Sequence, residues 1–205
     1  MTIFARASNF LLMQDPTDAL SKTGRTILNI NPAAYRTLVP TTSGLIQARD
    51  ILESTQPQDL LASPIRNRDE SNGILAALWL YHDFLDESHT IAQGIDTPTG
   101  AFWHAIMHRR EGDFSNSKYW YARCANHPVL KTIAAHAADL VNQFPADKQL
   151  LKIVMTGWNP SAFVDLVEEV HRNPKDPRHD LAVRLQRLEW GTLFQSCTRA
   201  AVHDL

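Results

Sequence analysis

The sequence predicts an all-α protein, folded as an irregular bundle of about six to eight helices in a single domain over residues 1–205. From residue 45 onward, apolar residues recur at the three- and four-residue spacing of a helix face. Prolines and glycines interrupt this pattern at intervals that match ordinary helix lengths. The chain lacks a run of alternating apolar and polar residues, the pattern typical of half-buried strands.

Residues 1–45 are predicted to be the least regular segment, because three prolines interrupt any long helix there. The sequence RTILNI at residues 25–30 is compatible with a short strand. The apolar stretch at residues 10–13 is much shorter than the core of a secretory signal. We therefore expect no secretion signal and a cytoplasmic protein.

Helical segments follow from residue 45 to the end of the chain. The most regular is 73–93, which is rich in Ala, Leu and Glu, holds no proline and ends at Gly94. Turn residues such as Gly-Asp and Asn-Pro separate the others. These other segments are 45–54, 100–111, 115–125, 129–144, 146–155, 161–171 and 180–203.

Charge and cysteine content argue against several classes of function. The formal net charge of -2 provides no positive field for nucleic acid or an anionic membrane. The longest apolar run, residues 74–81, is too short for a membrane span. The two cysteines, Cys124 and Cys197, are too few for a disulfide scaffold or a cysteine-rich zinc site. Cys124 is predicted to be a packing residue rather than a nucleophile.

One face of the predicted helix 73–93 carries apolar residues in its first half and ionisable residues in its second half. The ionisable residues on this face are His82, Asp86 and His89. The helix 100–111 repeats the same spacing with His104, His108 and Glu111. If the two helices pack side by side, these six residues form a set of imidazole and carboxylate ligands for a first-row divalent metal.

Two other interpretations of these residues remain open. They could form a hydrogen-bonded network that fixes two helices, or they could line a pocket for an organic ligand. His82, Asp86, His104 and His108 would then be the candidates for acid–base or hydrolytic chemistry. A zinc-protease motif is not present, because no acid follows His104.

Basic and aromatic residues also lie within this central region, residues 73–128. Arg109 and Arg110 could hold a phosphate or carboxylate group, and Arg123 could join them. Their alternative role is pairing with nearby acids, of which Asp83 is one. The predicted ligand-binding residues are Asp83, Arg109, Arg110, Tyr119 and Arg123.

Residues 102–128 resemble a tetratricopeptide or Sel1-type helix pair. Ala105, the turn Gly112-Asp113-Phe114, and Ser117, Tyr121, Cys124 and Pro128 match the small, aromatic and closing positions of those repeats. The resemblance covers one helix pair, without a second copy at a fixed period. It implies close helix packing and, as an alternative function, a non-enzymatic interaction module.

The segments HDFLDESH and WHAIMHRREGDFSNSKYW, with the later LQRLEW, are also similar to an uncharacterised all-helical family of microbial and fungal proteins. That similarity implies no activity. The leading hypothesis is therefore an interhelical pocket that binds a small ligand or a divalent metal. The alternatives are the interaction module and a structural oligomer subunit.

Overall fold

A computed structural model of the chain describes residues 19–124, 126–144 and 146–203. Within these ranges the fold consists of ten α-helices and one short 3-10 helix, and the only β pairing consists of isolated bridges. The all-α prediction is confirmed. Residues 1–18, where we expect no secretion signal, lie outside the described part of the chain.

The α-helices follow one another with short connections. In chain order they are α1 (Lys22–Asn29), α2 (Ile46–Glu53), α3 (Arg68–Tyr81), α4 (Leu85–Ala92), α5 (Pro98–Glu111), α6 (Phe114–Arg123), α7 (Val129–Val141), α8 (Lys148–Leu151), α9 (Pro160–Val170) and α10 (His179–Ala200). The 3-10 helix Pro57–Leu60 lies between α2 and α3. None of the helices described is long and apolar enough to cross a membrane.

The prediction of a strand at residues 25–30 is wrong, because this segment forms most of α1. Ser21 caps the helix by accepting a hydrogen bond from the Gly24 amide at 3.1 Å. Gly24 also lets α1 approach the 3-10 helix, since a Cβ there would lie 2.7 Å from the carbonyl oxygen of Leu60. The cap and this close approach outweigh the β-branched residues of the segment.

The prediction of one helix over residues 73–93 is also wrong, because the chain turns between α3 and α4. Asp83 adopts a left-handed conformation with φ +63°. The Asp83 amide donates to Leu80 O, and the Phe84 amide donates to Trp79 O at 3.0 Å. This pair of bonds is a Schellman motif, which normally uses glycine at the left-handed position. An aspartate fills that position here.

Helix α5 lies at the centre of the bundle, packed against α3, α4 and α6. Residues 99–110 of this helix are all buried. The pairing with α6 is close, because Ser117 Oγ donates to the Ala105 carbonyl at 2.8 Å. The tetratricopeptide-like character of this pair stays a prediction.

Arg109 and Arg110 of α5 are fully buried with 0% exposure, and each has an acidic partner. Arg109 Nη2 lies 2.6 Å from Glu189 Oε2 on α10, which is also 0% exposed. Tyr121 accepts a hydrogen bond from Arg109 and donates one to Glu189. Arg110 lies 2.6 Å from Asp83 Oδ1 and also donates to the Leu80 and Thr37 carbonyls.

We expect Arg109→Met to lower the free energy of unfolding by about 3–5 kcal/mol, because it leaves the Glu189 carboxylate buried without its cation. Urea denaturation measures the change. The double variant Arg109→Met/Glu189→Met should recover a large part of the loss. As a control, Arg172→Met at an exposed position should change stability by less than about 0.5 kcal/mol. A loss below about 1 kcal/mol in Arg109→Met would contradict the structural role of this ion pair.

Candidate metal centre

Three histidines from two neighbouring helices meet in the structure. His89 lies on α4, and His104 and His108 lie one turn apart on α5. One potential ligand atom from each ring lies within 4.8 Å of those of the other two. The ring centroids are 4.6–5.2 Å apart. We call these three residues the histidine cluster.

His104 is one of the two buried members of the cluster, and it contacts both of the others. Its side chain is 4% exposed and stacks on Trp120 of α6 with 4.0 Å between ring centroids. Neither of its ring nitrogens has a hydrogen-bond partner within the described ranges. Burial, together with the neighbouring His108 and His89, lowers its pKa to about 4. His104 is therefore a neutral imidazole at physiological pH, and the lone pair on its unprotonated ring nitrogen accepts no hydrogen bond from the described residues.

His108 is held by hydrogen bonds at both ring nitrogens. Its Nδ1 lies 3.1 Å from Glu111 Oε2, and its Nε2 lies 3.1 Å from Asn116 Nδ2 on α6. Burial lowers the pKa of His108, although the hydrogen bond that Nδ1 donates to Glu111 opposes this effect. A carboxylate on the far nitrogen of an imidazole is also the usual partner of a metal-bound histidine.

The secondary structure explains how the histidine cluster forms. The i, i+4 spacing places His104 and His108 on one face of α5. Helix α4 packs against α5 and carries His89 in its last turn. Because the chain turns at Asp83, α4 is not a straight continuation of α3, and the turn sets the position of His89.

The structure separates two of the other predicted ligands, His82 and Asp86, from the histidine cluster, whereas Glu111 contacts it through His108. The helix break removes the expected common face of His82, Asp86 and His89. His82 is buried in a different environment, where its Nε2 bonds to Ile27 O at 2.9 Å. Asp86 is exposed and, with Asp83, lines a surface groove of about 220 Å³ whose lining includes none of the three clustered histidines.

The predicted ligand-binding residues also divide into two groups. Arg109, Arg110 and Asp83 take part in the ion pairs between α5 and its neighbours rather than in an open pocket. Tyr119 and Arg123 are exposed on α6, where Arg123 Nη1 donates to Tyr119 Oη at 3.3 Å. Arg123 Cζ also lies 5.3 Å from the centre of the Trp120 ring.

Sequence reasoning missed two residues that contact the cluster, Asn116 and Trp120. Their i, i+4 spacing on α6, directly after the Gly112 turn, is the signal that could have identified them. Cys124 is buried and packs as predicted, and burial raises the pKa of its thiol to about 12.

The exposed apolar residues bear on the alternative of an interaction module. Among the described residues, the large apolar side chains that are exposed come from three separate segments: Leu45, Ile46, Tyr119 and Met155. The interaction module would require a large contiguous apolar patch. This alternative function stays a prediction.

The arrangement of the three imidazoles is compatible with a small transition-metal ion. In a tetrahedral zinc site with Zn–N bonds of about 2.1 Å, ligand atoms lie about 3.4 Å apart. Each pair in the histidine cluster would therefore close by at most about 1.4 Å.

Comparison of the chain with known protein families, with curated proteins and with solved structures gives no match. The functional argument therefore depends on the geometry of the chain's own residues.

We expect His104→Leu to leave the stability of the metal-free protein unchanged or to raise it, because the substitution removes a buried ring whose nitrogens bond to no other described residue. The matched variant His82→Leu should lower the free energy of unfolding by about 1 kcal/mol, since it breaks the buried hydrogen bond to Ile27. Urea denaturation at pH 7.5 measures both.

The pH dependence of stability provides a second measurement on the same variants. The folded pKa of His104 lies below the unfolded value of about 6.5, so the unfolded chain binds this proton more readily between pH 6.5 and 4. Stability of the metal-free protein should therefore fall as pH is lowered through this range. The fall should be smaller in His104→Leu. An equal or steeper fall of stability in that variant would contradict the assignment of the pH dependence to His104.

Proposed function

We propose that this protein binds a divalent transition-metal ion through His89, His104 and His108. The observation that carries the proposal is the state of His104, whose ring nitrogens are buried without a partner in the described structure and whose ring faces two other imidazoles. An unpaired buried polar group costs about 1–3 kcal/mol. A bound metal ion offsets that cost.

The alternative of a structural hydrogen-bond network fits the cluster less well. In such a network each buried nitrogen has a donor or acceptor partner. His82 and His127 have that character, since His82 bonds to Ile27 O and His127 bonds to Thr99 Oγ1 and the Val129 amide. His104 does not, although it lies in the same core.

The ligand set favours particular ions. Neutral imidazoles suit zinc, cobalt, nickel and copper, whereas magnesium and calcium require oxygen ligands. Burial lowers the pKa of both His104 and His108, so protons compete with a metal ion less than they do at exposed histidines.

Binding assigns separate roles to the two partners of His108. Nε2 of His108 would be the ligand atom in place of its present contact with the Asn116 amide, while Glu111 would hold the proton on Nδ1. Three protein ligands leave at least one coordination position for water. A metal ion held there would lower the pKa of a coordinated water, so the reaction class that fits these residues is metal-assisted hydrolysis.

We expect the purified protein to bind one zinc or cobalt ion per chain and to show no comparable affinity for magnesium. His89→Ala, His104→Leu and His108→Ala should each weaken binding by more than about 100-fold, since each removes a ligand. His136→Ala on α7 is the matched control and should bind as the wild type does. Calorimetric titration and elemental analysis measure these affinities, with circular dichroism to establish folding. A folded wild-type protein that takes up no stoichiometric metal would overturn the proposal.

Substitutions at Glu111 and Asn116 should differ in their effect on metal affinity. Glu111→Gln weakens the hold on Nδ1 and should lower zinc affinity about 10- to 100-fold. Asn116→Ala removes the group that competes for Nε2 and should leave affinity unchanged or raise it. Competition with a chromogenic chelator measures both variants. A loss of affinity in Asn116→Ala as large as that in Glu111→Gln would contradict the assignment of Nε2 as the ligand atom.

A further inference from the structure

We infer that the open coordination position of the proposed metal site takes a small molecule with two anionic groups, one on the ion and the other on Arg123. This inference rests on the proposed function, because it requires the ion. It adds the chemical class of the ligand and the residue that selects it.

The arginines of α5 and α6 differ in their available charge. Arg109 and Arg110 are buried, and the carboxylates of Glu189 and Asp83 neutralise them. Arg123 is exposed, and within the described ranges it contacts aromatic rings and the Tyr119 hydroxyl, with no carboxylate in an ion pair. Of these three, Arg123 therefore has a free guanidinium fork for a carboxylate or phosphate.

Arg123 is adjacent to the histidine cluster through one aromatic ring. Trp120 stacks on His104 with 4.0 Å between centroids, and Arg123 Cζ lies 5.3 Å from the Trp120 centroid. The guanidinium carbon is therefore no more than about 9 Å from the His104 ring. The indole contacts both groups, so we expect one anionic group to bind the ion and a second, a few ångströms away, to reach Arg123.

The charge balance of the site also favours an anion. The cluster contributes three imidazoles, and one carboxylate, Glu111, bonds to it directly. The nearby Asp113 carboxylate is engaged by the Asn116 amide and Ser115 at the start of α6. A divalent ion and Arg123 together would exceed these two negative charges by one, which favours an anionic ligand over a neutral one.

The test uses the full-length protein loaded with Co²⁺, whose visible spectrum reports on ligands added to the ion. Succinate, glutarate and adipate are titrated as dianions of increasing length, with acetate as the single-group control. In the wild type, at least one dicarboxylate should bind about 10-fold or more tightly than acetate. Arg123→Gln should reduce that dicarboxylate to the affinity of acetate without changing the affinity for Co²⁺. Arg123→Lys should retain part of the difference, and the exposed control Arg172→Gln should retain all of it.

Two outcomes would overturn the inference while leaving the metal site intact. One is Co²⁺ binding with no preference for any dicarboxylate over acetate. The other is a preference that Arg123→Gln leaves unchanged. Failure of the wild-type protein to bind Co²⁺ in the absence of any anion would overturn the proposed function, and this inference with it.

Discussion

The ion pair between Arg110 and Asp83 determines the arrangement on which the histidine cluster depends. The guanidinium binds the Leu80 carbonyl near the end of α3 and the Asp83 carboxylate one turn later. It therefore stabilises aspartate in a left-handed conformation that usually belongs to glycine. Since α4 begins directly after this turn, the direction in which His89 approaches α5 depends on a side chain of α5 itself.

Helix α5 is buried and yet carries several ionisable side chains, a combination that is rare in one helix. It is buried along residues 99–110, yet it carries two cations and two of the clustered histidines. The cations are stabilised by Glu189 and Asp83, and they attach α5 to α10 and to the end of α3. A helix held on several sides is a rigid support, and rigid supports favour metal sites because the ligands are held near the geometry for binding.

Local pattern was sufficient to predict the α-helical class, the bounds of α5 and the shared face of His104 and His108. It was not sufficient for His82 and Asp86, whose predicted alignment required an unbroken helix. The break at Asp83 depends on Arg110, 27 residues later in the chain, and no glycine or proline marks it. Asn116 and Trp120 were missed because their role comes from the packing of α6 on α5, which spacing alone does not fix.

The candidate ligands that the structure brings together differ from the predicted ones, and this difference changes the expected chemistry. A site built from His82, Asp86 and His89 would mix oxygen and nitrogen ligands, and its carboxylate would neutralise part of the charge of the ion. The histidine cluster offers nitrogen alone, which favours softer ions and leaves their double charge uncompensated by direct ligands. In the proposed site, that charge would act on whatever occupies the open position. It would make a bound water more acidic and hold an anion more strongly, so both the hydrolytic chemistry and the anionic ligand proposed here depend on the same three imidazoles.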